Sequence, residues 1–264
     1  MAPPKPSAAK EPKPLPGLPA FEEGDFHALS DSLSRDAQYN DRRLVARRKL
    51  GAIGKEALVR IEASLAGSSG AGLDLITRTS LHQPHTFNGN RVRRLWAYLC
   101  RGKQAKAHLR KVLGRDLAKD LDAAYRNAYL CVALESEVIE VSFRIHSDGW
   151  YDGQNLVNRT QREGLDGWLE QLNALDGWFL QLADWKGEWR CGELNRDRLK
   201  EFLDYYQPGD HLLSVSRRFP APLVARAHVF GPEVPGMLAG ELLRLVPLYR
   251  YSAWSDESDF LFSS

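Results

Sequence analysis

The runs AYLCVALE (128–135) and VIEVSFRIH (138–146) decide the fold of this chain, and only two residues separate them. Apolar and polar side chains alternate along the second run, with Val141, Phe143 and Ile145 on the apolar face. A period of two residues is typical of a strand with one buried face, and a two-residue connection between such runs indicates a hairpin. We therefore predict an antiparallel β-hairpin that turns one face to the core and the other to water.

Further runs of strand character follow the hairpin, at 178–185, 211–219 and 248–254. Together with the hairpin they predict a mainly antiparallel sheet of about five strands. Helical periodicity predicts helices in much of the remaining chain, at 37–66, 90–113, 155–175, 195–206 and 237–246. In the first of these, Gly51 and Gly54 are expected to break or bend the helix.

The order of these elements predicts an α+β fold, because helices come first and strands mixed with helices come after. We predict one α+β domain over residues 21–264, in which a helical part (25–125) packs on a sheet-containing part (126–264). Residues 1–20 carry seven prolines and little apolar mass. Such a segment predicts a disordered tail, partly in the polyproline II conformation, that serves solubility rather than docking.

Composition limits the class of protein further. Hydrophobic residues make up 43% of the chain, which is enough for a core, but no apolar run approaches the roughly 20 residues of a membrane span. Cys100, Cys131 and Cys191 are odd in number and show no C-x-x-C spacing, which argues against a disulfide framework and a zinc knuckle. We therefore expect a cytoplasmic protein that does not associate with a membrane.

Charge is unevenly distributed along the chain. The 36 basic and 34 acidic residues nearly balance, yet the segment from Phe87 to Arg115 holds nine Lys or Arg residues and no carboxylate. The aromatic residues Phe87, Trp96 and Tyr98 lie in the same segment. Cations for phosphates and rings for bases are typical of nucleic-acid binders, although Trp96 and Tyr98 also suit a core.

The principal hypothesis is therefore a non-enzymatic binding or accessory protein that engages a polyanion through a basic helical face. The partner would be nucleic acid or an acidic protein surface. The predicted contact residues are Arg91, Arg93, Arg94, Lys103, Lys106, Arg110 and Lys111. A second basic stretch extends this set through Arg42, Arg43, Arg47 and Arg48.

The alternative hypothesis is a metal-dependent nuclease or phosphodiesterase that uses Mg²⁺. Asp148 and Asp152 lie in the loop after the hairpin, and Asp184 and Lys186 form a D-x-K pair at a predicted strand end. Carboxylates could hold the metal while the lysine steadies the attacking water or the phosphate. The two Asp-Gly pairs of the loop equally suit turns and a helix start, so the principal hypothesis involves no metal or cofactor.

Overall fold

One antiparallel sheet of seven strands runs through the part of the chain that the computed structural model describes, residues 20–66, 72–118, 121, 123, 126–221 and 233–262. The strand order is β1-β2-β3-β4-β7-β5-β6. The strands are β1 (Leu75–Thr79), β2 (Arg94–Arg101), β3 (Ala128–Glu135), β4 (Val138–Ile145), β5 (Phe179–Leu182), β6 (Glu188–Arg190) and β7 (Leu213–Pro220). The helices are α1 (Glu23–His27), α2 (Asn40–Leu65), α3 (Lys103–Leu117), α4 (Trp150–Glu163), α5 (Asp166–Asn173), α6 (Arg196–Tyr205), α7 (Val234–Arg244) and α8 (Val246–Ser252).

The predicted hairpin is confirmed as β3 and β4, which pair antiparallel with Val132 opposite Val141. Val141, Phe143 and Ile145 are fully buried, as the alternation predicts. The other face was predicted to contact water, but it is less exposed than that prediction, because Glu140 is only 1% exposed. Glu140 pairs with Arg94 of β2 and Arg218 of β7, so charged side chains of the sheet rather than water surround it.

Helix α2 lies across β1 and β2 and brings the apolar side of the sheet into the main core. The predicted helix is confirmed, and it runs without a break through both glycines. Gly54 meets the sheet: a Cβ atom there would lie 2.5 Å from Oγ1 of Thr77. Gly54 therefore allows α2 to approach β1 closely, and it does not bend the helix.

The predicted helix over 90–113 is wrong in its first half, which is strand β2. Leu95 and Leu99 are four residues apart, a spacing that places two side chains on one face of a helix and also on one face of a strand. Trp96 and Tyr98 point to the other face of the sheet, as strand alternation requires. The helix begins only at Lys103, after Gly102.

The predicted last strand over 248–254 is also wrong, because Val246–Ser252 form helix α8 with Pro247 in its first turn. Proline there already has a helical φ angle and gives up an N–H that a helix start leaves unpaired. Three of the seven strands, β1, β2 and β6, were not predicted, so the sheet is larger than the expected five strands. Two of these lie in the part of the chain predicted to be helical.

The α+β class is confirmed by helices and an antiparallel sheet in the same chain. No helix within the described ranges has both the length and the apolar character needed to cross a bilayer. The predicted disordered tail covers residues 1–20, and all of it except Ala20 lies outside the described residues.

Candidate functional site

The seven cations of the principal hypothesis lie on different elements. Lys103, Arg110 and Lys111 are exposed on α3, whereas Lys106 of the same helix is buried. The single helical face that the hypothesis assumes is therefore wrong, because a strand and a turn interrupt the segment.

Arg94 belongs to a cluster of ion pairs on the sheet. Its guanidinium donates to Glu135 at 2.5 Å and to Glu140 at 2.7 Å. Glu140 also accepts hydrogen bonds from Arg144 and Arg218. Burial alone would raise the pKa of Glu140, but the neighbouring Arg144 and Arg94 outweigh it and lower that pKa to about 2. Arg94 therefore neutralises carboxylates of its own sheet.

Asp152, a predicted metal ligand, is instead the centre of a buried structural network. Its two oxygens accept from both terminal nitrogens of Arg101, at 2.7 and 2.5 Å. The backbone N–H groups of Ala128 and Trp254 donate to the same carboxylate. Each oxygen thus accepts two hydrogen bonds, and the network joins α4 to β2, β3 and the carboxyl-terminal segment.

The other residues of the nuclease hypothesis remain apart from this network. Asp148 is exposed beside Arg126, at 3.8 Å, while Asp184 and Lys186 are exposed in the β5–β6 connection. Strands β4 and β5, which precede Asp148 and Asp184, end on the same side of the sheet with β7 between them, so the two strand ends lie roughly 10 Å apart. Within the described residues, no three His, Cys, Asp or Glu side chains are arranged to hold a metal ion.

The loop between β1 and β2, residues 80–93, carries the most exposed large apolar side chain of the described chain. Phe87 is 89% exposed at the tip of this loop. Its ring stacks on the imidazole of His85, with centroids 4.9 Å apart and planes at 25°. The stacked rings of His85 and Phe87 are therefore exposed to solvent at the tip of a loop whose two ends are fixed by β1 and β2.

Hydrogen bonds hold the tip of this loop in one conformation. The His85 N–H donates to the side chain of Asn88 at 2.7 Å, and the Phe87 N–H donates to Nδ1 of His85 at 3.2 Å. The next two residues, Gly89 and Asn90, both adopt left-handed backbone angles, with φ of 63° and 56°. This conformation suits glycine and, after it, asparagine, which explains the sequence N-G-N at the tip.

The base of the loop is fastened to α2 and to the segment before it. Arg43 donates to the carbonyl of His82 at 3.2 Å, and Arg47 donates to the carbonyl of Ser80 at 3.5 Å. On the returning side, the N–H of Val92 donates to the carbonyl of Ser34. The phenyl ring of Phe87 is thus presented from a support that is anchored at both ends.

Four arginines lie in or near this support: Arg91 and Arg93 belong to the loop, and Arg47 and Arg48 lie near its base at His82. We call the set formed by Phe87, Arg47, Arg48, Arg91 and Arg93 the loop surface. Arg48 and Arg93 are exposed, and Arg47 and Arg91 are half-buried. Arg93 pairs with Asp31 at 2.7 Å, but both side chains are largely exposed, so this pair contributes little and can exchange.

The pKa of His82, at the base of the loop, is sensitive to the arginines of this region. Burial lowers the pKa of His82, and the charges of Arg47, Arg43 and Arg48 lower it further. These three arginines therefore lie close enough to disfavour another positive charge at the base of the loop. An anion bound there would be favoured for the same electrostatic reason.

The sequence places Phe87, Arg91 and Arg93 in the charged segment, but it does not indicate that α2 approaches them. That proximity arises because β1 and β2 pair beneath α2, which brings two basic stretches of the chain together. Arg43 of the second stretch is buried and serves the fold, Arg47 is half-buried and also contacts the base of the loop, and Arg48 is exposed.

Comparison of the chain with protein-family models and with curated proteins found no match.

Proposed function

We propose that this chain is a non-enzymatic, cytoplasmic protein that binds a polyanion, and that the loop surface makes the contact. The observation that carries the proposal is the fixed, solvent-exposed ring of Phe87 on a loop that contains Arg91 and Arg93 and has Arg47 and Arg48 near its base. Guanidinium groups bind phosphate oxygens, and the open aromatic ring offers a stacking platform.

Single-stranded nucleic acid is the polyanion that this arrangement favours. Its bases are free to stack on an aromatic side chain, while its phosphates supply the charge. A duplex presents mainly phosphates at this scale, and a ring on a short loop has no base face to meet there. An acidic protein surface would use the same arginines but would have no bases to stack on the ring.

Fluorescence anisotropy with a labelled oligothymidylate, measured over a range of salt concentrations, tests the proposal. The intact protein should bind, and log K should fall linearly with log salt by about 0.7 for each phosphate contact on a single strand. The double variant Arg48→Gln/Arg91→Gln should bind more weakly and reduce that slope by about 1.4.

A second double variant, Lys103→Gln/Lys111→Gln, removes the same charge from α3 and is the matched control. It should leave the slope close to that of the intact protein. If this variant loses the binding instead, the contact lies on α3 and the loop surface is the wrong site. Absence of binding to the oligonucleotide, together with capture of polyglutamate, would assign the surface to an acidic protein partner.

A further inference from the structure

A cavity of about 850 Å³ lies on another side of the molecule, between the end of α2, the start of α3, α8 and the carboxyl-terminal segment. This volume falls in the range of small-molecule sites, which is roughly 300–1,000 Å³. Its walls are largely apolar and include Leu73, Val246, Tyr249 and Trp254. Tyr249 and Trp254 are at least 95% buried, so these walls belong to the packed interior rather than to loose surface side chains.

Most of the charged groups that line this cavity are already engaged within the protein. Arg101 is held by Asp152, and Arg159 pairs with Glu163 at 2.7 Å while it lies 3.9 Å above the ring of Tyr251. These contacts fix two of the three lining guanidiniums in structural roles.

The lining carboxylates are likewise in use. Asp74 accepts a hydrogen bond from the N–H of Ala105 at 2.8 Å, where it caps the start of α3. A Cβ atom at Gly102 would lie 1.9 Å from the carboxylate of Asp74, so the glycine is needed for this cap. Asp256 pairs with Nε2 of His108 at 3.1 Å.

Arg250 differs from its neighbours in this cavity. It is exposed on α8, and no ion pair or hydrogen bond joins its side chain to another residue of the described ranges. An apolar cavity with one available guanidinium suits a ligand with an apolar body and one anionic group. Asp74, Asp256 and Glu257 also line the cavity and would repel a ligand that carries several negative charges.

We propose that this cavity binds a small amphipathic monocarboxylate, with its carboxylate on Arg250 and its apolar body against the half-buried side chains of Leu73 and Leu243. This site is separate from the loop surface and does not depend on the proposed function. Its ligand carries a single charge, whereas a polynucleotide presents a row of phosphates.

Calorimetric titration of the full chain with three matched probes tests this site: 4-phenylbutyrate, 4-phenylbutanol and 4-phenylbutylamine. The carboxylate should bind about tenfold more tightly than the alcohol, because guanidinium–carboxylate pairing adds to apolar burial. The amine should bind most weakly. In Arg250→Gln the carboxylate should lose this advantage, while the affinity for the alcohol stays the same.

Two further variants keep the outcome interpretable. Arg244→Gln removes an exposed arginine that pairs with Glu241 outside the cavity, and it should retain the preference for the carboxylate. Val246→Trp places a larger ring in the wall of the cavity and should weaken binding of all three probes, with circular dichroism as the check on folding. Failure of the intact protein to bind any probe, or an undiminished carboxylate preference in Arg250→Gln, would overturn the proposal.

Discussion

Arg43 and Arg48 lie five residues apart on α2, but Arg43 is buried and Arg48 is exposed. All five guanidinium N–H donors of Arg43 reach acceptors within the chain, four of them backbone carbonyls. Arg48 is exposed and lies near His82, at the base of the loop that carries Phe87. The comparison teaches that a count of cations along the sequence mixes arginines that hold the fold with arginines that are free to meet a partner.

The same division separates the sheet and the Asp152 network from the loop surface. Arg94 and Arg101 are bound by carboxylates of the chain, so their charge is largely cancelled locally. Arg48 is exposed and Arg91 is half-buried, so part or all of each side chain faces solvent. Variants of the first group should therefore change stability, and variants of the second group should change binding.

The largest effect is expected at the buried Arg101–Asp152 pair. Arg101→Met leaves Asp152 buried without its counter-charge, and the free energy of unfolding should fall by about 3–5 kcal/mol. Urea denaturation measures this loss. The double variant Arg101→Met/Asp152→Leu should recover much of it, because no unpaired charge remains. A single variant as stable as the intact protein would show that the pair does not hold these elements together.

A smaller loss is expected at Glu140, and it should depend on pH. Glu140→Gln should cost about 2 kcal/mol at neutral pH, because charge-assisted hydrogen bonds from arginines are lost. The folded pKa, about 2, is below the ordinary value of 4.5. The stabilisation by Glu140 is therefore complete above about pH 4.5 and disappears as pH falls towards 2.

Urea denaturation of both proteins between neutral pH and acid measures this dependence. The difference between intact protein and Glu140→Gln should narrow as the solution is acidified. A difference that stays constant down to the lowest accessible pH would mean that the ionised carboxylate is not its source.

Phe87→Ala should weaken oligothymidylate binding by about 1–3 kcal/mol, the contribution of one base stacked on an aromatic ring. Anisotropy should show an unchanged salt slope, because no cation is removed. The free energy of unfolding should change by no more than about 0.5 kcal/mol, since the ring is exposed in the folded protein. Phe87→Trp should retain the binding. Equal affinity of Phe87→Ala and the intact protein would show that no base stacks on this ring.

The smallest effect concerns His82. Burial, and after it the charges of neighbouring arginines, keep the pKa of His82 below the usual value near 6.5, and bound phosphates would offset the charge of the arginines. The pKa of His82 should therefore rise on binding, and affinity should increase modestly as pH falls through this range. Binding measured from pH 7.5 to pH 5.5 (about one pH unit either side of that value) should lose this trend in His82→Gln. The same trend in the variant would assign it to another group.

The fold was predictable where the hydrophobic pattern fits the two-residue period of a strand or the 3.6-residue period of a helix, but not both. The hairpin is such a case, because Val141, Phe143 and Ile145 alternate over several residues without a helical alternative. The strand Arg94–Arg101 was not predictable in this way, since Leu95 and Leu99 satisfy both periods. Helix α8 was missed because its aromatic residues favour strands, while Pro247 marks a helix start only when its place in the first turn is known.

Less of the candidate site was predictable than of the fold. The sequence gives the residue types near Phe87, and the N-G-N turn indicates a tight tip. It does not indicate that α2 approaches the loop, because that proximity depends on the pairing of β1 with β2, and neither strand was predicted. Nor does it separate Arg43 from Arg48, because burial of a guanidinium depends on carbonyls from distant parts of the chain.

The pair Arg43→Gln and Arg48→Gln tests the central claim most directly, with unfolding free energy and the salt slope of oligonucleotide binding measured on both proteins. We predict that Arg43→Gln loses about 2–4 kcal/mol of stability, because several buried carbonyls lose a charged donor. Arg48→Gln should remain as stable as the intact protein and should reduce the slope by about 0.7. Equal loss of stability in both variants, or an unchanged slope in Arg48→Gln, would contradict the division between structural and binding arginines.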